Sequence, residues 1–243
     1  MRGEDRKTGA GRTYELVLSG VSKTVERSKT EKSAAAVGRK QVTIVYEVKD
    51  GLYVNLTNRC PCACVFCIRN NADGAYGSDS LWLEREPDAD EIMAAVAAAR
   101  PERFAEIVFC GYGEPTERLD ILLDAAGRIK RAYPNLPVRV NTNGLADLIA
   151  GGSVAAKFKG LVDSLSISLN AADAEEYAAL CRPKFGIESY AAILRFAEDA
   201  KRYVPSVVMT VVAAPGFTDE KLAACRAVCE RIGVPLRVRV YEA

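Results

Sequence analysis

The chain has 243 residues, with 33 Lys and Arg against 32 Asp and Glu, and 49% of its residues are hydrophobic. A net charge of +1 gives no bulk signal for nucleic acid or for a membrane surface, and the hydrophobic content is that of a globular protein. Histidine is absent, which excludes His-based catalytic triads and imidazole metal ligands. Cysteine must therefore carry any metal chemistry.

Eight cysteines are far fewer than a secreted disulfide scaffold would use, and the N-terminus lacks the positive-then-apolar pattern of a leader. We expect free thiols in a reducing cytoplasm. Charged residues interrupt every apolar stretch well short of about 18 residues, so no membrane span is expected. Residues 1–40 are rich in Lys and Arg without a sustained period, which predicts a flexible tail before a core domain over 41–243.

From residue 42 the chain takes on regular patterns. The β-rich segments QVTIVYEV and LYVNLT flank Asp50 and Gly51, which predicts a β-hairpin. Helices and strands then alternate. Helices are predicted at 87–100, 116–133, 145–158, 173–203 and 218–232, and strands at 105–110, 137–141, 161–170, 206–212 and 235–240.

Counted from LYVNLT, six apolar strands are separated by helices, which is typical of a parallel α/β sheet covered by helices. Such a sheet is either doubly wound or an incomplete (β/α) barrel. Both architectures place ligands at the carboxyl ends of the strands.

The segment NLTNRCPCACVFCIRN, residues 55–70, follows the first of these strands and contains four cysteines: Cys60, Cys62, Cys64 and Cys67. A structural zinc site usually needs two CxxC pairs, and the chain has only one. A redox dithiol is also disfavoured, because further crowded thiols would exchange with it. Three thiolates on one loop suit a four-iron, four-sulfur (4Fe-4S) cluster that keeps one iron free of protein ligands.

The segment GYGEP follows the next strand and contains Gly113, Glu114 and Pro115. Glycines let the backbone approach a ligand closely, and a carboxylate suits an ammonium group. Taken alone, the segment also fits a strand-to-helix turn.

Polar residues close the later strands. Ser168 and Asn170 share one side of a strand, since alternate residues do, and Asn143 lies in the polar stretch 141–144. Arg182 could pair with a carboxylate, and the pair Thr210 and Val212 could flank an adenine. Cys225 and Cys229 lie on one face of a predicted helix and are expected to be part of the core. Residues 71–84, which include Trp82, either cap the substrate pocket or anchor the next helix through Trp82.

The CxxxCxxC spacing, with Phe66 before its last cysteine, resembles the radical S-adenosylmethionine (SAM) enzymes, and GYGEP resembles their Gly-Gly-Glu motif with Tyr112 inside the glycine pair. The resemblance implies a partial (β/α)6 TIM-like barrel over about residues 50–243, with an N-terminal extension and hairpin. It implies Cys60, Cys64 and Cys67 as cluster ligands and Cys62 as a bystander. It also implies SAM contacts from Phe66, Gly113, Glu114, Pro115, Asn143, Ser168 and Asn170.

The activity that this resemblance implies is reductive cleavage of SAM to a 5′-deoxyadenosyl radical that takes hydrogen from a substrate, with an electron donor such as flavodoxin or ferredoxin. The segments around the cysteines and GYGEP look most like the radical SAM proteins associated with TatD-family nucleases. Large auxiliary domains are not expected. Two alternatives stay open: a glycyl-radical-activating enzyme with a protein substrate, and an iron-sulfur carrier or sensor.

Overall fold

The computed structural model describes residues 43–241, so the predicted tail at 1–40 lies outside the described residues. Within 43–241, no helix is long and apolar enough to cross a bilayer. Seven strands form one sheet in which their order is the order of the chain. They are β1 Val45–Val48, β2 Gly51–Val54, β3 Glu106–Phe109, β4 Val138–Thr142, β5 Ser164–Ser168, β6 Ser206–Ala213 and β7 Leu236–Val240.

The predicted hairpin is present as the antiparallel pair of β1 and β2. Gly51 pairs with Val48, so Lys49 and Asp50 form the turn, and Lys49 adopts the positive φ of 54° that a tight turn needs. Every later neighbouring pair is parallel. The sheet curls into a half-barrel, which confirms the predicted partial barrel.

Six α-helices cover the outer face of the sheet among the described residues. They are α1 Ala89–Ala98, α2 Leu119–Ala132, α3 Ala146–Ala150, α4 Ala174–Cys181, α5 Glu188–Ala200 and α6 Asp219–Ile232. The helical region predicted at 173–203 is two helices. Helix α4 ends at Arg182, which has a φ of 45°. The next residue is Pro183, and a proline disfavours the helical conformation in the residue before it.

The two faces of the sheet differ in character because alternate strand residues point in opposite directions. On β5, Leu165 and Ile167 are fully buried under the helices, whereas Ser166 and Ser168 lie on the concave face. Cys225 and Cys229 are buried in α6, as predicted for core positions. The helices thus hold the apolar core, and the concave face carries polar side chains.

Candidate functional site

A cavity of about 210 Å³ lies where the carboxyl ends of the parallel strands meet the cysteine loop. Six of the eight cysteines line it. Of the residues singled out from the sequence, the cavity is lined by Cys60, Cys62, Cys64, Cys67, Phe66, Tyr112, Gly113, Glu114, Asn141, Thr142, Asn143, Ser168, Asn170 and Val212. The fold therefore brings segments that are far apart in the chain to one place.

The cysteine loop rests against the break between α4 and α5. Ala63 N–H donates to the Cys181 carbonyl at 3.1 Å, and Val65 N–H donates to the Leu180 carbonyl at 2.9 Å. On the other side of the break, Lys184 N–H donates to the Pro61 carbonyl at 2.8 Å. These backbone bonds form a short antiparallel bridge that orients the thiols.

Cys62 is the most buried of the four cysteines of the loop, although it also borders the cavity. Cys62 is 5% exposed and its sulfur lies 3.9 Å from the Tyr177 hydroxyl, within the core. Cys60, Cys64 and Cys67 are only half-buried and face the cavity. The four thiols therefore border one cavity, and Cys62 differs from the other three in its greater burial.

The surroundings of these three cysteines favour the neutral thiol over the thiolate. The pKa of Cys60 is raised by its contact with the Cys62 thiol and by burial, and that of Cys64 by its contact with Cys181 and by burial. Burial also raises the pKa of Cys67. A set of thiolates here needs a compensating positive charge such as a metal centre. Within 43–241, no three Cys, Asp or Glu side chains form a group suited to one metal ion.

Gly113 lets the GYGEP turn pack directly on the cysteine loop. A Cβ at this position would lie 2.2 Å from the Thr57 carbonyl oxygen and 2.6 Å from the Arg59 carbonyl oxygen. The next residue, Glu114, donates its N–H to the same Arg59 carbonyl at 2.8 Å. Only glycine permits this approach.

Tyr112, which departs from the usual glycine pair, anchors residues 71–84. Its ring is buried, its hydroxyl donates to the Ala72 carbonyl at 2.6 Å, and Trp82 packs edge-on against it with ring centroids 5.1 Å apart. Tyr76, from the same segment, lines the cavity. The segment thus forms part of the wall, and Trp82 fixes it to the rim.

The Glu114 carboxylate is buried and connects the ends of two strands. Its Oε1 accepts hydrogen bonds from Thr116 N–H, the Thr116 hydroxyl and the Thr142 hydroxyl at 3.0, 2.7 and 2.7 Å. Its Oε2 accepts only the Asn143 N–H, at 2.7 Å. Burial raises the pKa of Glu114, and these hydrogen bonds oppose that rise. Since each carboxylate oxygen has about two acceptor sites, Oε2 retains one.

Asn170 contributes an unsatisfied acceptor to the cavity. Its backbone has a φ of 60°, its Nδ2 donates to the Cys181 sulfur at 3.6 Å, and its buried Oδ1 has no hydrogen-bond partner. Buried amide oxygens are normally paired, so this atom is suited to a ligand donor.

Some predicted residues lie outside the cavity lining. Pro115 is buried and begins the short 3₁₀ turn Pro115–Arg118, Thr210 is buried beside β5, and Arg182 is an exposed helix end. The cavity also includes residues that sequence reasoning missed, namely Tyr177, Cys181, Cys110 and Arg239. Of these, only Arg239 had a signal, the alternation of arginine and valine in β7.

A family model described as the radical SAM superfamily matches residues 54–227, well over half of the chain. The chain belongs to the radical SAM superfamily. It is an enzyme of that superfamily, whose members use SAM and a 4Fe-4S cluster. A solved structure of a radical SAM methyltransferase from Sphaerobacter thermophilus shares its fold, with a TM-score of 0.54, 19% identity, and coverage of 81% of this chain and 68% of that one.

Two curated relatives match shorter parts of this radical SAM chain. A phosphatidyl-myo-inositol mannosyltransferase of Mycobacterium tuberculosis is 29% identical over 126 residues, covering 49% of this chain and 32% of the relative. A probable RNA methyltransferase of Thiobacillus denitrificans is 37% identical over 78 residues, covering 32% of this chain and 19% of the relative. The chain thus spans a third or less of these relatives, and neither activity transfers to it.

The close packing of the glycine turn can be tested with Gly113→Ala. The added methyl group collides with two carbonyl groups, so we expect a loss of about 1–3 kcal/mol in the free energy of unfolding, measured in urea. Gly152→Ala is the matched control, because a Cβ at Gly152 meets nothing within 4 Å. Equal stability of the two variants would contradict the proposed packing.

The buried carboxylate can be tested separately with Glu114→Gln. In either orientation, the NH₂ group of the new amide faces a group that also donates, so at least one hydrogen bond is lost. We therefore expect the free energy of unfolding, measured in urea, to fall by about 1–3 kcal/mol. Glu198→Gln serves as the control because Glu198 is exposed on α5 and forms no hydrogen bond or ion pair with the described residues. If both variants unfold at the wild-type urea concentration, the hydrogen bonds to Glu114 do not stabilise the fold.

Proposed function

We propose that this radical SAM enzyme binds a 4Fe-4S cluster through Cys60, Cys64 and Cys67 and binds SAM beside it. The observation that carries the proposal is the shared cavity: three half-buried thiols, a buried carboxylate with one free acceptor site and an unpaired amide oxygen all line it. Such a donor set fits the two groups, since thiolates bind iron and the oxygens suit the ammonium and hydroxyl groups of SAM.

The burial of Cys62 supports the choice of ligands. Its sulfur contacts Tyr177 in the core, and its pKa is raised to about 12: the Cys60 thiol lowers it, but the Cys64 thiol and burial outweigh that effect. Cys62 also borders the cavity, and the Asn143 side-chain amide donates to its sulfur at 3.8 Å. We favour the CxxxCxxC set because its three thiols are less buried than that of Cys62.

The remaining residues would position SAM. Glu114 would accept from the ammonium group through Oε2, while Asn143, Ser168 and Asn170 offer polar groups along the strand ends. Phe66 and Gly113 form adjoining parts of the wall. Pro115 acts indirectly, because it starts the turn that holds Thr116 against Glu114.

When bound, the cluster and SAM supply reductive cleavage to methionine and a 5′-deoxyadenosyl radical that removes hydrogen from a substrate. The part of this chain is to hold the reacting groups in one orientation and to limit water. Tyr76 and Tyr112 contribute aromatic surface to the cavity wall. Tyr76 belongs to residues 71–84, and Tyr112 of the GYGEP turn holds that segment through its hydrogen bond to Ala72.

The proposal extends to finer assignments that rest on resemblance. Within the superfamily we assign the chain to the group associated with TatD-family nucleases, with a core over 41–243. We propose flavodoxin or ferredoxin as the class of electron donor, and a reducing cytoplasm, because cluster assembly needs free thiols.

The proposed ligand set is tested by comparing Cys64→Ala with Cys62→Ala after anaerobic reconstitution with iron and sulfide. With dithionite and SAM, the wild type should form 5′-deoxyadenosine even without substrate. Cys64→Ala should abolish this product and lower the bound iron, whereas Cys62→Ala should retain most of both.

Three outcomes would contradict the proposal. Equal loss in the two cysteine variants would overturn the ligand assignment. A wild type that holds zinc or no metal would reject the cluster. An electron paramagnetic resonance spectrum that does not change on addition of SAM would instead indicate an iron-sulfur carrier.

A further inference from the structure

Arginines are concentrated on the concave face of the half-barrel. Arg139 projects there from β4, and Arg237 and Arg239 project from β7, two positions apart and hence on the same side. Arg237 Nη2 donates to the Ser166 hydroxyl of β5 at 2.8 Å, which shows that its side chain crosses the concave face. Arg239 lines the cavity that also contains the cysteine loop.

Only one of these arginines is neutralised. Arg139 forms an ion pair with Glu106, with 2.6 Å between Nη2 and Oε1, and a further hydrogen bond to Asn141. Neither Arg237 nor Arg239 has a carboxylate within ion-pair distance among residues 43–241. The pKa of Arg237 is lowered, first by loss of water and then by repulsion from Arg139 and Arg239.

Arg237 is close enough to Arg139 and Arg239 to be repelled by them, and an anion bound between Arg237 and Arg239 would relieve that repulsion. Among the described residues that line the cavity, Glu114 carries the one carboxylate, and it forms no ion pair with either arginine. Arg237 is only partly shielded from water, so a dissolved anion can reach it.

We propose that Arg237 and Arg239 bind a phosphate monoester group of the substrate, an inference that rests on the proposed function for the reaction itself. A guanidinium fork matches phosphate oxygens in a bidentate manner, and the Ser166 hydroxyl adds a further hydrogen-bonding group. A phosphate monoester carries about −1.5 to −2 charge at pH 7, which balances two arginines, whereas a carboxylate balances one.

The order of the strands places this anion site on a different strand from the cluster loop, at the edge of the same cavity. The loop follows β2, whereas β7 is the edge strand at the opposite end of the parallel series. A substrate held by its phosphate at β7 would therefore extend its remaining part across the concave face toward the cysteines. The alternative ligand for Arg237 and Arg239 is the carboxylate of SAM itself, in place of a substrate phosphate.

The first test is isothermal titration calorimetry of inorganic phosphate with the 243-residue chain at low ionic strength. Phosphate should bind the wild type, and Arg237→Gln and Arg239→Gln should each weaken it at least tenfold. Arg226→Gln is the matched control, because Arg226 is exposed on α6 without an ion pair to any described residue, and its affinity for phosphate should not change. Arg239→Lys keeps the charge but loses the fork, and should bind phosphate with intermediate affinity.

Absence of phosphate binding by the wild type, or equal binding by all folded variants, would overturn the proposal. Circular dichroism establishes which variants are folded. If the Gln variants do not fold, the phosphate affinity of Arg239→Lys is compared with that of the wild type instead. SAM affinity of the reconstituted protein is measured in parallel. A tenfold loss of SAM affinity in Arg239→Gln, matching the loss for phosphate, would assign the arginines to the SAM carboxylate and reject a substrate site. The phosphate titration needs no cluster, so a negative result rejects the anion site alone. A failure to form 5′-deoxyadenosine would instead reject the proposed function.

Discussion

The cavity depends on one close contact between backbones, that of the GYGEP turn with the cysteine loop. Gly113 brings the turn within van der Waals distance of the Thr57 and Arg59 carbonyl groups, and Glu114 N–H bonds to the second of these. The Glu114 side chain then reaches to Thr142 and Asn143 at the end of β4. One residue therefore ties together the loop after β2, the turn after β3 and the end of β4.

The cysteine loop is held from its other side by the break between α4 and α5. Its bridge to residues 180–184 accompanies the burial of Cys62, whereas the other three thiols are half-buried, and all four border the cavity. The proposed cluster with three protein ligands would benefit from this bridge, because the bridge holds the three thiols in place before iron binds. The same fold presents unpaired arginines on β7, so the reacting end and the proposed anion site belong to one concave face.

Local patterns predicted most of the fold. The hairpin, the order of strands and helices, and the convergence of the cysteines, Glu114, Ser168 and Asn170 all follow from periodicity and from the geometry of parallel sheets. The split of the region 173–203 was not predicted, although Pro183 marks it, and neither was its pairing with the cysteine loop. That pairing joins residues more than 100 positions apart, for which a single sequence carries no local signal. The arginines of β7 were read only as part of a closing strand, because their shared environment with Arg139 appears only when the sheet curls.

The central claim is that three thiols hold a 4Fe-4S cluster with one iron open to SAM. The most direct measurement is Mössbauer spectroscopy of the protein reconstituted anaerobically with iron-57, recorded with and without SAM. The account predicts about four iron atoms per chain, of which one changes its spectrum when SAM is added. A protein without iron, or a cluster whose four iron sites are unaffected by SAM, would contradict it.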